Sequence, residues 1–127
     1  MHVLNEMERP SIKVFTCYNH GREDALRQLL YGIEEEGIPY EVLTHSGSAA
    51  VSLAWAACRE SRLEVGLGVD NEHLVLHFGK LEADKPLFII PARAPEEEVR
   101  ALGANAARLV KRLPFKPLKM DLKEVKQ

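Results

Sequence analysis

"LEVGLGVDNEHLVLHFG" (residues 63–79) holds two β-rich runs, "LEVGLGVD" and "HLVLHFG", joined around Asp70 and Asn71. A parallel neighbour needs a crossover of a dozen or more residues, so a connection this short makes the two runs an antiparallel pair. The chain before them follows another pattern. "SIKVFTCY" (11–18) and "IPYEVLTH" (38–45) are strand-like and are separated by helix-length segments, as in a parallel α/β sheet. After the hairpin, "PLFIIPA" (86–92) is a continuous apolar run suited to a sheet interior. "PEEEVRALGANAARLVKRL" (95–113) is a long helix that opens with Pro and acids and closes with bases. The order β-α-β-α-β-β-β-α with right-handed crossovers places helices on both faces. The expected fold class is α/β: a three-layer α/β/α sandwich around a five-stranded mixed, mostly parallel sheet with one antiparallel strand. One domain, 1–127, is expected, with 1–10 and 117–127 flexible, the tail being rich in Lys and Pro.

Two further helices complete the reading. Leu26, Leu29, Leu30 and Ile33 recur at i, i+3, i+4 and i+7, a single apolar stripe over Ala25–Glu36 that Gly37 can end. A second helix runs from about Ser48, as N-cap, to Ser61, with Val51, Ala54, Trp55 and Cys58 as its apolar face.

The first helix ends badly. Glu34, Glu35 and Glu36 crowd its C-terminus, where the macrodipole favours cations, and the positions three and four residues earlier hold Leu30, Tyr31, Gly32 and Ile33. Two readings stand: a solvated acidic turn costing a few tenths of a kcal/mol per charge, or a docking point for an external cation. At 100° per residue Glu35 lies almost opposite the centre of the apolar stripe, with Glu34 and Glu36 on its flanks.

Composition narrows the function classes. With 46% hydrophobic residues, 28% charged residues and a net charge of −2, the 127-residue chain shows no general affinity for nucleic acid or anionic membrane. "MHVLNEMERPS" lacks the features of a signal peptide and no later apolar run is long enough to span a bilayer, which makes the cytoplasm the expected location. Cys17 and Cys58 form no CxxC motif and read as buried free thiols. "HSGSAA" lacks the GxxxxGK[ST] phosphate loop, and His73 and His77, four residues apart on a strand, stand about 13 Å from each other, too far to share a metal ion. Glu96 to Glu98 begin a helix and Arg108, Lys111 and Arg112 end it, as its dipole prefers. No nucleophile has a local base, so no catalytic residue and no cofactor-binding residue is nominated.

"LLYGIEEEGIPYEV", "AWAACRESRLEVGLGVD", "LHFGKLEADKPLF" and "GANAARLVKRLPFKPL" together resemble the small subunit of the diol/glycerol dehydratase reactivases, GIEEEGIP and NAARLVK-x-x-PF being the most specific pieces. The resemblance implies a noncatalytic subunit that pairs with a large ATPase subunit of the actin/Hsp70-like kind, which binds ATP and ADP. In that scheme the small subunit, itself similar to the dehydratase medium subunit, transiently displaces it, so that damaged adenosylcobalamin leaves the dehydratase large subunit and intact cofactor enters. The resemblance places a metal-ligating glutamate at the middle of EEE, Glu35, for Mg²⁺ or Ca²⁺ at the interface with the large subunit; Glu34 and Glu36 are expected there as flanking partner contacts or as solvated neighbours. The client diol or glycerol, the stoichiometry and any association with a bacterial microcompartment stay open. One departure is Arg112, where a Gly is usual in the segment LVKG-x-PF, which puts a tight backbone approach there in doubt. Two competing readings are a medium subunit of a B12-dependent dehydratase, which family lengths disfavour because this chain looks complete, and a small-ligand enzyme using the crevice at the sheet's switch point.

Overall fold

A computed structural model describes residues 9–17 and 22–124. The elements follow the expected order: β1 (Ile12–Thr16), α1 (Glu23–Glu35), β2 (Tyr40–Thr44), α2 (Ala50–Glu60), β3 (Val65–Val69), β4 (His73–Phe78), β5 (Phe88–Pro91), α3 (Glu96–Lys111) and a final 3-10 turn, Leu122–Glu124. The sheet order is β2-β1-β3-β4-β5, with β1 parallel to β2 and β3, and β4 antiparallel to both β3 and β5. One strand, β4, therefore runs against the other four. Helices α1 and α3 pack together over one face, and α2 covers β1, β3 and β4 on the other.

Strand alternation sorts the core between these layers. Ile12, Val14, Leu67, Leu74 and Leu76 join Leu29, Ile33 and Leu102 beneath α1 and α3, while Phe15 meets Leu53 and Ala57, and Val75 meets Ala50 and Ala54, beneath α2. The glycines of "GLG" let α2 lie directly on β3. A Cβ on Gly66 would stand 2.2 Å from the Cys58 nitrogen, and one on Gly68 would stand 2.1 Å from the Ala50 oxygen.

Asp70 explains both the hairpin and the helix beside it. Its Oδ1 accepts the N–H groups of Glu72 and His73 at 2.8 and 2.7 Å, closing the turn. Its Oδ2 accepts the Ala50 N–H at 2.8 Å. The expected Ser48 N-cap is thus corrected: α2 starts at Ala50 with no side-chain cap of its own, and its first donor is satisfied from the hairpin. Its buried face is Ala50, Leu53, Ala54, Ala57 and Cys58, with Val51 and Trp55 only half-buried, because small side chains are what fit against β3.

β5 is a second correction. It lies at the sheet edge, not in the interior. Its apolar character reports that both its faces are covered, which says nothing about its lateral position. Residues 117–124, expected to be a loose tail, pack along this side of the molecule. Asn105, fully buried, binds Lys116 through both its N–H and its carbonyl, Glu98 accepts the Met120 N–H, and Asp121 accepts the Ile89 N–H of β5 at 3.1 Å. Phe115 meets Phe88 edge-on, so the motif NAARLVK-x-x-PF is the turn that brings the chain back from α3 to β5. The rest of both expected flexible ends, 1–8 and 125–127, lies outside the described residues, as does most of the polar loop after β1.

Candidate functional site

The acidic end of α1 is positioned by α3. Gln28 meets Arg100, Leu29 meets Gly103, Gly32 meets Ala104 and Glu36 meets Arg108, pairs that advance together along both chains, so the two helices run parallel. They touch backbone to backbone. A Cβ on Gly32 would stand 2.0 Å from the Arg100 oxygen, and one on Gly103 would stand 2.0 Å from the Leu29 oxygen. Both C-termini therefore emerge at the same end of the sandwich, and the basic residues closing α3 stand beside the acids closing α1.

Glu36 sits between them. Its side chain is 12% exposed, with Arg108 Nε donating to Oε2 at 3.1 Å and Lys111 Nζ 2.8 Å from Oε1. Lys111 Nζ also donates to the Glu36 carbonyl at 2.8 Å, satisfying an orphan acceptor at the end of α1. The hydrogen bond from Lys111, and then Arg108, holds the Glu36 carboxyl below the ordinary glutamate value against the opposing effect of burial. Glu34 accepts the Tyr40 hydroxyl at 2.6 Å, and this bond, followed by burial and the Glu34 charge, pushes the phenol up to about 12. The acidic turn is therefore not unpartnered. Its partners come from β2 and α3, up to 75 residues away, where local helix spacing could not find them.

Glu35 is held most loosely. Its side chain is 48% exposed, and the nearest cation, Arg100 Nη1, stands 3.7 Å from Oε2, beyond hydrogen-bond distance. It opens onto a groove of about 630 Å³ lined by Glu35, Glu96, Glu97, Arg100, Ala101 and Lys116. Among the described residues no three His, Cys, Asp or Glu side chains come together to hold a metal ion. The roles of Tyr40, Arg100 and Lys111 escaped the sequence reading; the one hint was that α1 breaks the dipole preference at the C-terminus while α3 satisfies it abundantly.

The other motifs resolve structurally. His77 is buried against Trp55, with the Phe78 N–H donating to Nδ1 and Nε2 lying 3.0 Å from the Ala83 carbonyl. Cys17 and Cys58 are free, Cys17 only half-buried, and burial pushes the Cys58 thiol up to about 11, away from nucleophilic reactivity at neutral pH. Arg112 is the left-handed C-cap of α3, with φ of 60° and ψ of 41°. A glycine would suit this position for its backbone angle, not for a tight approach. Among the described residues no helix is long and apolar enough to cross a membrane.

Residues 9–116 match the family described as dehydratase medium subunit. The diol dehydratase-reactivating factor small subunit of Klebsiella michiganensis is 42% identical over 101 residues, covering 80% of this chain and 81% of that one. The propanediol dehydratase-reactivating factor small subunit of Salmonella typhimurium is 44% identical over 91 residues, covering 72% and 78%. A solved structure of diol dehydratase-reactivating factor complexed with ADP and Mg²⁺ superposes with a TM-score of 0.80 at 39% identity, covering 86% of this chain and 99% of its counterpart. A β4-reversed five-stranded sandwich, an acidic α1 terminus held by α3 and these similarities lead to one assignment: the chain belongs to the dehydratase medium-subunit family, among the small subunits of diol/glycerol dehydratase-reactivating factors.

Proposed function

We propose that this chain is the noncatalytic small subunit of a chaperone-like, ATP-dependent reactivase, pairing with a large subunit that binds ATP and ADP. In this reading it exchanges transiently with the medium subunit of a diol or glycerol dehydratase, loosening the enzyme so that damaged adenosylcobalamin is replaced. The observation that carries the reading is the match to reactivating-factor small subunits across 78–81% of their own length in the two relatives above. Work in the cytoplasm belongs to the same proposal. The family description itself favours one alternative, a medium subunit of the dehydratase proper.

Within the complex, Glu35 supplies one carboxylate to a Mg²⁺ or Ca²⁺ ion at the interface, and the large subunit supplies the rest. Its exposure, its loose pairing and its oxygen chemistry fit a hard cation. Glu34 and Glu36 stand as flanking contacts, Glu36 chiefly by fixing where α1 ends. Glu35→Gln tests this because it keeps size and helix propensity while removing charge. Heterodimer affinity measured with and without Mg²⁺ should lose its metal dependence in the variant; wild-type affinity with unchanged metal dependence refutes the ligand role. Native mass spectrometry of the chain mixed with the dehydratase large and medium subunits separates the two readings. A stable stoichiometric enzyme containing this chain in place of the medium subunit supports the alternative, and a transient complex that also needs the reactivase large subunit supports the proposal.

A further inference from the structure

Among the described residues Arg100 is the cation paired with Glu35, and its guanidinium is already committed on its other edges. Nε and Nη2 both donate to Gln28 Oε1, and the guanidinium carbon stands 5.9 Å over the Tyr31 ring, which leaves Nη1 as the group turned to Glu35 at 3.7 Å. Gln28 and Tyr31 belong to α1, so Arg100 reaches across the helix pair and rests on the surface of its neighbour. Its own helix offers another resting place. Glu96 and Glu97 precede it by four and three residues, are exposed, and line the same groove. Glu at i with Arg at i+4 is the favourable orientation for a helical ion pair. Arg100 thus has two sets of acceptors within reach of one long side chain, one on α1 and one on α3, and both Arg100 and Glu35 are exposed enough, at 41% and 48%, to exchange partners.

We propose that Arg100 is a built-in counter-ion that occupies Glu35 in the free subunit and must swing to Glu96 and Glu97 when a divalent cation binds there. The inference rests on the reading of Glu35 as a cation ligand and assigns that site its regulation. Without the swing a fixed positive charge would stand within a few ångströms of a doubly charged ion. At a separation of about 5 Å in a water-like dielectric, reduced by physiological screening, that repulsion weakens cation binding by roughly three- to tenfold.

The experiment titrates Mg²⁺ into the reconstituted heterodimer and reads subunit affinity, with thermal unfolding of each isolated variant as a fold control. Arg100→Gln should shift the half-effective Mg²⁺ concentration down, by up to about tenfold. Arg100→Lys, which keeps the charge, should stay near wild type. Glu96→Gln combined with Glu97→Gln removes the alternative acceptors and should shift the half-effective concentration up. An unchanged Mg²⁺ midpoint in Arg100→Gln overturns the counter-ion role even if Glu35→Gln has abolished metal dependence. Metal dependence that survives Glu35→Gln overturns the ligand reading itself. If Arg100→Gln destabilises the fold through loss of the Gln28 bonds, Gln28→Ala reports that cost with the charge intact, and a Mg²⁺ midpoint no higher than wild type in the Glu96→Gln, Glu97→Gln double variant overturns the proposal.

Discussion

Replacing Glu36 by Gln isolates the charge that ties the two parallel helices together at their C-terminal ends. The substitution preserves volume and one acceptor oxygen, so it removes the charge shared by Arg108 and Lys111 and one of the two oxygens that accept from them. An exposed pair contributes about 0–1 kcal/mol, and breaking a fully buried one costs about 3–5 kcal/mol. Glu36 lies between these limits: its own side chain is 12% exposed, but Arg108 and Lys111 are 28% and 33% exposed and can turn to water once released. The expected loss is therefore about 1–2 kcal/mol, or about 3–8 °C in melting temperature for a domain of this size. The pH dependence follows from the direction of the shift. The Glu36 carboxyl titrates lower in the fold than in the unfolded chain, so its contribution is complete above the unfolded value near about 4.3 and fades as pH falls through the lower folded value. Thermal unfolding of both proteins followed by circular dichroism, at pH 7 and again near pH 3, should show a clear gap at the first pH that narrows at the second. Equal melting temperatures at pH 7, or a gap undiminished in acid, would refute the view that charge holds this end of the sandwich.

Two further substitutions probe the frame around the site. Gly103→Ala should destabilise the domain by about 3 kcal/mol or prevent folding, because the added carbon meets the Leu29 carbonyl of α1 at 2.0 Å; chemical denaturation measures it, and a loss below about 0.5 kcal/mol would mean the helices can separate freely. Arg112→Gly should raise stability by about 0.5–1 kcal/mol, since a left-handed C-cap strains a side chain and the gain is only partly offset by greater freedom of the unfolded chain; a fall in the denaturation midpoint contradicts that balance.

Much of the architecture was legible in the chain because it depends on local spacing. The short link around Asp70 and Asn71 could only close an antiparallel pair, the apolar residues at i, i+3, i+4 and i+7 could only form one helical stripe, and 100° per residue sufficed to turn Glu35 outward. The match of GIEEEGIP and NAARLVK-x-x-PF to a known family was equally a property of the linear sequence. Other features required the fold. The N-cap of α2 comes from Asp70, 20 residues ahead, the tail is fastened by Asn105, Glu98 and Asp121, and the carboxylates closing α1 find their cations on a helix 65 to 75 residues later. Periodicity gives the direction of a side chain about its own helix axis but not the rotation and offset of the helix packed against it. Here the bare backbones at Gly32 and Gly103 determine that offset, by letting α1 and α3 approach in one register that brings Glu36 to Arg108 and Glu35 to Arg100. An acidic terminus that violates the dipole preference of its own helix is thereby answered by the basic terminus of another, because tertiary packing places the two ends side by side.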